Sequence, residues 1–219
     1  MRSTMLALVA LVGLVAAPAQ AQRAGQGWSV LGATTIGDGG MALNAQFGYP
    51  GVSAEFLAGL GSVDIGIRGT YNYAFEGLTE RYYQRSGLKG QALLRLNVLQ
   101  GQRVNLGLRF EPGMLAYFSR STTDTGLLLP FGMTLGIPVS SALNLGLTVD
   151  IPMYVLWTRG PLPISYEGLH VPILFGAGAE YFVDKNIALT AQMKMGPTLF
   201  PRGGADFTLH FLFGVAVKL

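Results

Sequence analysis

The last thirteen residues, Phe207 to Leu219, carry an apolar residue at every second position. Phe207, Leu209, Phe211, Phe213, Val215, Val217 and Leu219 share one face of a strand, and Thr208, His210, Gly214, Ala216 and Lys218 share the other. Apolar residues at period two over this length are the pattern of a strand with one face in lipid. Related segments recur upstream about every forty residues, beginning VDIGIRGTYNYAF at Val63, VNLGLRFEPGMLAYF at Val104, LNLGLTVDIPMYVLW at Leu143 and IALTAQMKMGPTLF at Ile187. That spacing suits a pair of strands with a loop and a turn, because the strands are too long for the four-stranded blade of a propeller. The pattern predicts ten strands, over 27–36, 41–58, 63–75, 88–98, 103–118, 126–139, 143–157, 169–182, 187–200 and 206–219. Pro50 and Gly51 interrupt the second and its apolar parity changes across them, as at a bulge. Eight strands with an irregular N-terminus is the alternative count.

Short turns are expected near Gly59–Ser62, Leu99–Gln102, Ser140–Ala142 and Val183–Asn186. Longer polar loops are expected near Gly37–Gly40, Glu76–Gly87, Ser119–Thr125, Thr158–Gly168 and Pro201–Ala205. An even strand number puts both termini on the short-turn side.

Composition decides what surrounds these strands. Charged residues make up 12% of the chain, half the share of an ordinary soluble domain at about 25%, and mean hydropathy is +0.39. A soluble barrel could not cover its exterior with so little charge. No apolar run beyond residue 20 is long enough for a spanning helix. A closed antiparallel barrel remains, since lipid cannot satisfy an open sheet edge. The strand charges Glu55, Asp64, Arg68, Lys89, Arg95, Arg109, Glu111, Asp150, Glu180 and Lys194 fall on the parity opposite the apolar face. Tyr71, Tyr73, Phe75, Phe118 and Trp157 fall where an aromatic girdle belongs.

Arg2, the apolar run Met5–Ala17 and Pro18-Ala19-Gln20-Ala21 read as a secretory signal cleaved after Ala21, leaving residues 22–219 as the barrel. The chain has no cysteine, which excludes a lipid-anchored cysteine, a disulfide framework and a thiolate metal site. The net charge of +3 is spread out and gives no footprint for nucleic acid. Neither a cofactor nor a metal site is indicated.

Gly214, Val217 and Leu219 resemble the C-terminal assembly signal of bacterial outer-membrane β-barrel proteins, with Leu219 where that family more often ends in Phe. The resemblance implies delivery by the barrel-assembly machinery and residence in a Gram-negative outer membrane, among its lipid and lipopolysaccharide. It implies neither a substrate nor an oligomeric state.

Four constellations are candidates for function. Arg68, Arg109, Glu111, Asp150 and Lys194 reach similar height inside the barrel, with His210 close by. They read as a salt-bridged filling or as the lining of a narrow pore, with inward glycines such as Gly107, Gly146, Gly176 and Gly178 making room for water or relieving crowding. Pro112, Pro130, Pro152, Pro172 and Pro197 fall one each on strands five to nine, where a missing ladder donor marks bulges, a rim, or a lateral opening for lipid-like molecules. His170, with Ser165 and Glu167 before it, is the site of an acyl-transfer alternative, without a nucleophile motif around it. The loop EGLTERYYQRSG, with Tyr82 and Tyr83, suits adhesion. The leading expectation is a non-enzymatic barrel, structural or a narrow conduit for small or apolar solutes. A lipid-modifying enzyme and an adhesive surface protein are the alternatives.

Overall fold

The computed structural model describes residues 27–74, 86–101, 103–118, 123–159, 167–200 and 204–219. Its strands are β1 (Met41–Tyr49), β2 (Gly51–Gly59), β3 (Val63–Asn72), β4 (Ser86–Gln100), β5 (Asn105–Phe110), β6 (Gly113–Phe118), β7 (Thr123–Pro138), β8 (Leu143–Arg159), β9 (Gly168–Pro172), β10 (Leu174–Asp184), β11 (Ile187–Leu199) and β12 (Ala205–Lys218). Each pairs antiparallel with its neighbours, and β12 closes the sheet on β1, from Ala42 opposite Lys218 to Tyr49 opposite Phe211. The result is a closed antiparallel barrel with no edge to protect.

Two wall strands are each broken into a pair of segments, which reduces the twelve segments to ten strands. Phe110 pairs with Phe131 and Gly113 with Leu128, so the register of β5 and β6 against β7 is unchanged over Glu111 and Pro112. His170 pairs with Tyr154 and Leu174 with Asp150, so β9 and β10 likewise keep one register against β8.

The expected total of ten is met through two compensating differences at the N-terminus. Residues 27–36 form no strand. The stretch 41–58 is not one bulged strand but the hairpin β1–β2, turning at Tyr49-Pro50-Gly51. The turn forms there because Pro50 has no donor for a ladder, and because a side chain at Gly51 would run into the backbone of Tyr71. Residues 27–36 lie inside the barrel instead. Gly27, Gly32, Gly37 and Gly39 all take positive φ, which bends the segment away from an extended path. Gly37–Gly40, expected as an outer loop, lies at the other end, where Gly39 donates to Gly59 O and Gly59 donates to Gly40 O.

β1 begins and β12 ends at the same end of the barrel, together with the turns that follow β2, β4, β7 and β10. Most residues of the four long loops at the opposite end, and those of the expected signal at 1–21, lie outside the described residues. The outer surface is apolar: Phe47, Ile67, Leu147, Phe175, Met193, Phe211 and Phe213 are all exposed. Tyr71, Tyr73, Phe118 and Trp157 are exposed toward the loop end, while Phe75 falls outside the described residues.

Candidate functional site

The chemistry of this chain is inside the barrel, in two layers. The layer at the terminal end is built around residues 28–36. Here several inward positions of the wall are small or apolar: Ala42, Leu57, Leu93, Phe182, Ala188 and Ala216 form one buried cluster with Trp28, Val30 and Ile36. Trp28 meets Phe182 edge to face at 5.2 Å and donates its indole N–H to Lys185 O at 2.8 Å.

Polar wall side chains bind the main chain of this segment. One Glu180 carboxylate oxygen accepts from the N–H groups of Val30 and Leu31 at 2.7 and 3.1 Å, and Asp64 accepts from Ile36 N–H at 3.0 Å. Arg95 donates to the carbonyls of Ser29, Val30 and Thr34 at 2.6, 3.2 and 2.7 Å. Asn97 donates to Ala33 O at 2.8 Å, Thr134 to Leu31 O at 3.3 Å, and Lys218 to Ile36 O at 2.8 Å. Arg95 and Asp64 are ion-paired at 3.1 Å.

The wall is also hollowed to admit the segment. A side chain at Gly107 would meet Gly32 O, one at Gly136 would meet Ala33, and one at Gly178 would meet Leu31. Beside Leu31 and Ala33 a cavity of about 20 Å³ remains, room for about one water.

The second layer lies closer to the loop end and contains the charge cluster. Glu55, Arg68, Glu111, Arg109, Asp150 and Lys194 form one chain of alternating sign across the lumen. Arg68 lies 2.5 Å from Glu55 and 2.8 Å from Glu111, Arg109 lies 3.7 Å from Glu111 and 2.5 Å from Asp150, and Lys194 lies 2.7 Å from Asp150. Three cations meet three carboxylates, so the network is neutral. The low dielectric of a filled interior strengthens each pair and makes any lone charge costly. His210 faces Lys194 across the β11–β12 ladder and lines the same space. That space is a cavity of about 150 Å³, bordered by Gln46, Ser53, Thr70, Gln91 and Gln192 and by the ion pairs, and by apolar residues such as Leu128, Phe131 and Leu212.

The sequence expectation brought together Arg68, Arg109, Glu111, Asp150, Lys194 and His210, and the structure places all six around this cavity. Sequence reasoning missed Glu55 as a partner, because its height depends on a hairpin that the periodicity presents as one strand. The roles of Glu180, Asp64 and Arg95 were also missed. One signal was available: several inward positions near the terminal end are alanine, leucine and phenylalanine, which a water-filled lumen would not favour.

The five prolines lie within one residue of a single row that crosses five wall strands. Glu111 N–H donates to Pro130 O at 3.0 Å, so the polar edge of Pro130 faces β5 and β6. Pro130 cannot return a bond to Glu111 O, and the Gln91 side chain donates to that carbonyl at 3.2 Å instead. Pro130 and Pro152 are paired across β7 and β8 without loss, since that pair carries no ladder bond. Pro152 falls opposite Pro172, between the pairs Asp150–Leu174 and Tyr154–His170. Ala92 donates to Pro112 O and Ile173 to Pro197 O, both at 2.8 Å, so each of these carbonyls keeps its bond.

His170 is 2% exposed, with its ring stacked on Tyr154 at 4.7 Å and edge-on to Phe200 at 5.5 Å. Ser165 and the loop 76–85 lie outside the described residues. Among the described residues no three His, Cys, Asp or Glu side chains group as a metal site would require. Gly214 sits in the β12 ladder opposite Gln46 and Thr190, Val217 opposite Leu43 and Ile187, and Leu219 N–H donates to Met41 O at 2.9 Å.

A closed antiparallel barrel, apolar outside and charged within, is the fold of outer-membrane β-barrel proteins. Among solved structures, the chain is similar to the outer membrane protease OmpT from Escherichia coli, with a TM-score of 0.52 and 8% identity over 82% of this chain and 93% of that one. The NanC porin aligns with a TM-score of 0.39 and 8% identity over 82% and 100% of the two chains. Among curated proteins, the uncharacterized protein YchO of Escherichia coli (strain K12) is 23% identical over 192 residues, 87% of this chain and 37% of that protein. The chain therefore spans little more than a third of that relative's length. No protein-family model matches the chain.

Proposed function

We propose that this protein is a resident of the bacterial outer membrane that serves as a structural, non-enzymatic barrel and does not conduct solutes. The observation that carries this reading is the segment 28–36, whose main chain is bound by side chains of β3, β4, β7, β10 and β12. The neutral ion network lines the lumen above it. With the termini in the periplasm, the 150 Å³ cavity lies on the outer side of the segment, among the ion pairs. Lipid and lipopolysaccharide surround the apolar face, and the barrel-assembly machinery reads the β12 end at Gly214, Val217 and Leu219.

Single-channel recording of the mature chain, Gln22–Leu219, in a planar bilayer tests this. Silence from protein shown to be folded is expected. Discrete steps altered by Arg109→Ala would overturn the reading in favour of a narrow conduit.

A second reading rests on the position of Pro152 opposite Pro172. That pair has no ladder donor on either side, and Pro152 lines the outer cavity. An apolar or amphiphilic molecule could pass between β8 and the β9–β10 strand from lipid into the cavity without crossing the closed lower lumen.

A further inference from the structure

The lower lumen recognises residues 28–36 in an unusual way for a packed core. Wall side chains address the segment through its backbone: the N–H groups of Val30, Leu31 and Ile36, and the carbonyls of Ser29, Val30, Leu31, Ala33, Thr34 and Ile36. The apolar side chains of the segment are buried as well. Trp28 has an aromatic seat on Phe182, Val30 and Ile36 join the same buried cluster with Leu57 and Leu93, and Leu31 and Ala33 lie against Gly178 and Gly136. The segment GWSVLGATTIG carries no charge, so the ionised groups around it are engaged with peptide dipoles rather than with opposite charges on the segment. Glu180 is 2% exposed and makes no ion pair among the described residues, and the N–H groups of Val30 and Leu31 donate to its carboxyl group.

We propose that the terminal half of the lumen is a binding site for a bent, uncharged peptide with an aromatic anchor, and that the chain fills it with its own N-terminal segment. The inference rests on the reading of that segment as the closure of the lumen. The segment joins no ladder with the wall and is tethered through Gly37 and Gly39, both at positive φ, so it can leave without dismantling a strand. Once it has left, periplasmic water hydrates Glu180, Asp64 and Arg95, which an apolar socket would not permit. Tethering gives the chain's own segment an effective concentration in the millimolar range, so a free peptide competes only where the tethered copy is weakened.

The test uses the full mature chain carrying Trp28→Ala and Val30→Pro, which remove the anchor and one donor from the tethered copy. The probe is a fluorescent synthetic peptide of residues 27–37, with a second peptide methylated on the Val30 and Leu31 nitrogens. Because the chain has no cysteine, a single Ala33→Cys in each background reports by thiol labelling whether the segment is seated. Saturable binding of the first peptide, at least tenfold weaker for the methylated one, is expected. Equal binding of the two peptides, or none to a folded variant whose Ala33→Cys thiol is labelled, would overturn the inference and leave the closure intact. Rapid labelling of Ala33→Cys in the otherwise unchanged chain would instead remove the closure itself.

Discussion

Pro152 lies opposite Pro172, at the one position between the pairs Asp150–Leu174 and Tyr154–His170 where β8 and the β9–β10 strand should exchange two hydrogen bonds. Neither residue has an N–H to give, so two carbonyls face each other in the wall. Pro152→Val returns one donor without disturbing the register, and a β-branched residue suits a strand. The expected gain is about 1 kcal/mol in the urea unfolding of the barrel in vesicles. If the second reading of the function is right, the same substitution slows entry of an apolar dye into the outer cavity. An unchanged rate would remove the lateral route.

Arg95 and Asp64 hold the two halves of the N-terminal segment and are bonded to each other at 3.1 Å, with side chains 3% and 0% exposed. Arg95→Met leaves Asp64 buried beside unbound carbonyls of Ser29, Val30 and Thr34. Breaking a buried pair in this way costs about 3–5 kcal/mol. Arg95→Lys should recover little of it, since a single ammonium cannot span three carbonyls and a carboxylate as the planar guanidinium does. Equilibrium unfolding of the two variants beside the parent chain checks both expectations.

The alternation that makes β3 to β12 readable is a direct consequence of the barrel: one face meets lipid, and the other meets charge or glycine. The same logic puts Arg68, Arg109, Glu111, Asp150 and Lys194 in one lumen from the order of residues alone. It fails at residues 27–36 because Trp28, Val30 and Ile36 are apolar for a different reason, burial against Leu57, Leu93 and Phe182 inside the barrel. Period two over ten residues does not distinguish those environments. It fails again at Pro50, where a parity change fits either a bulge or a turn, and only pairing of Phe47 with Val52 selects the turn. The engagement of Glu180 with a backbone rather than a cation has no signature in sequence.

Asp150 is the carboxylate between Arg109, at 2.5 Å, and Lys194, at 2.7 Å. Asp150→Asn leaves Lys194 without its ion pair while Arg109 keeps Glu111 at 3.7 Å, and is expected to cost about 3 kcal/mol. Adding Lys194→Met should recover part of the loss, because the second change removes a charge that the first left unpaired. Glu55→Gln is milder, since Arg68 keeps Glu111 at 2.8 Å. A double-mutant cycle over Asp150 and Lys194, with Glu55→Gln measured beside it, reads these changes in unfolding free energy.

Gly136 occupies β7 where a side chain would meet Ala33 of the segment. Valine is a good strand residue and Gly136 has ordinary strand geometry, so Gly136→Val should leave the wall intact and expel the segment. The expected outcome is unchanged strand content by circular dichroism together with faster thiol labelling of Ala33→Cys. Protection equal to that of the parent would mean that the wall, not the segment, gives way.

His170 decides whether the acyl-transfer alternative has a base. A general base must reach the proton it takes, directly or through one water. The His170 ring instead lies against Tyr154, within 10° of parallel, and Phe200 meets it edge-on. In this setting the ring contributes aromatic packing at the loop end of the barrel. His170→Phe retains that shape and is expected to change unfolding stability by less than about 1.5 kcal/mol, whereas His170→Ala opens a cavity and is expected to cost about 2 kcal/mol or more. Phospholipid hydrolysis by the purified barrel should stay at background for the parent and for both variants. Hydrolysis that is present in the parent and lost in His170→Phe would reverse the argument, because the only property removed there is the imidazole.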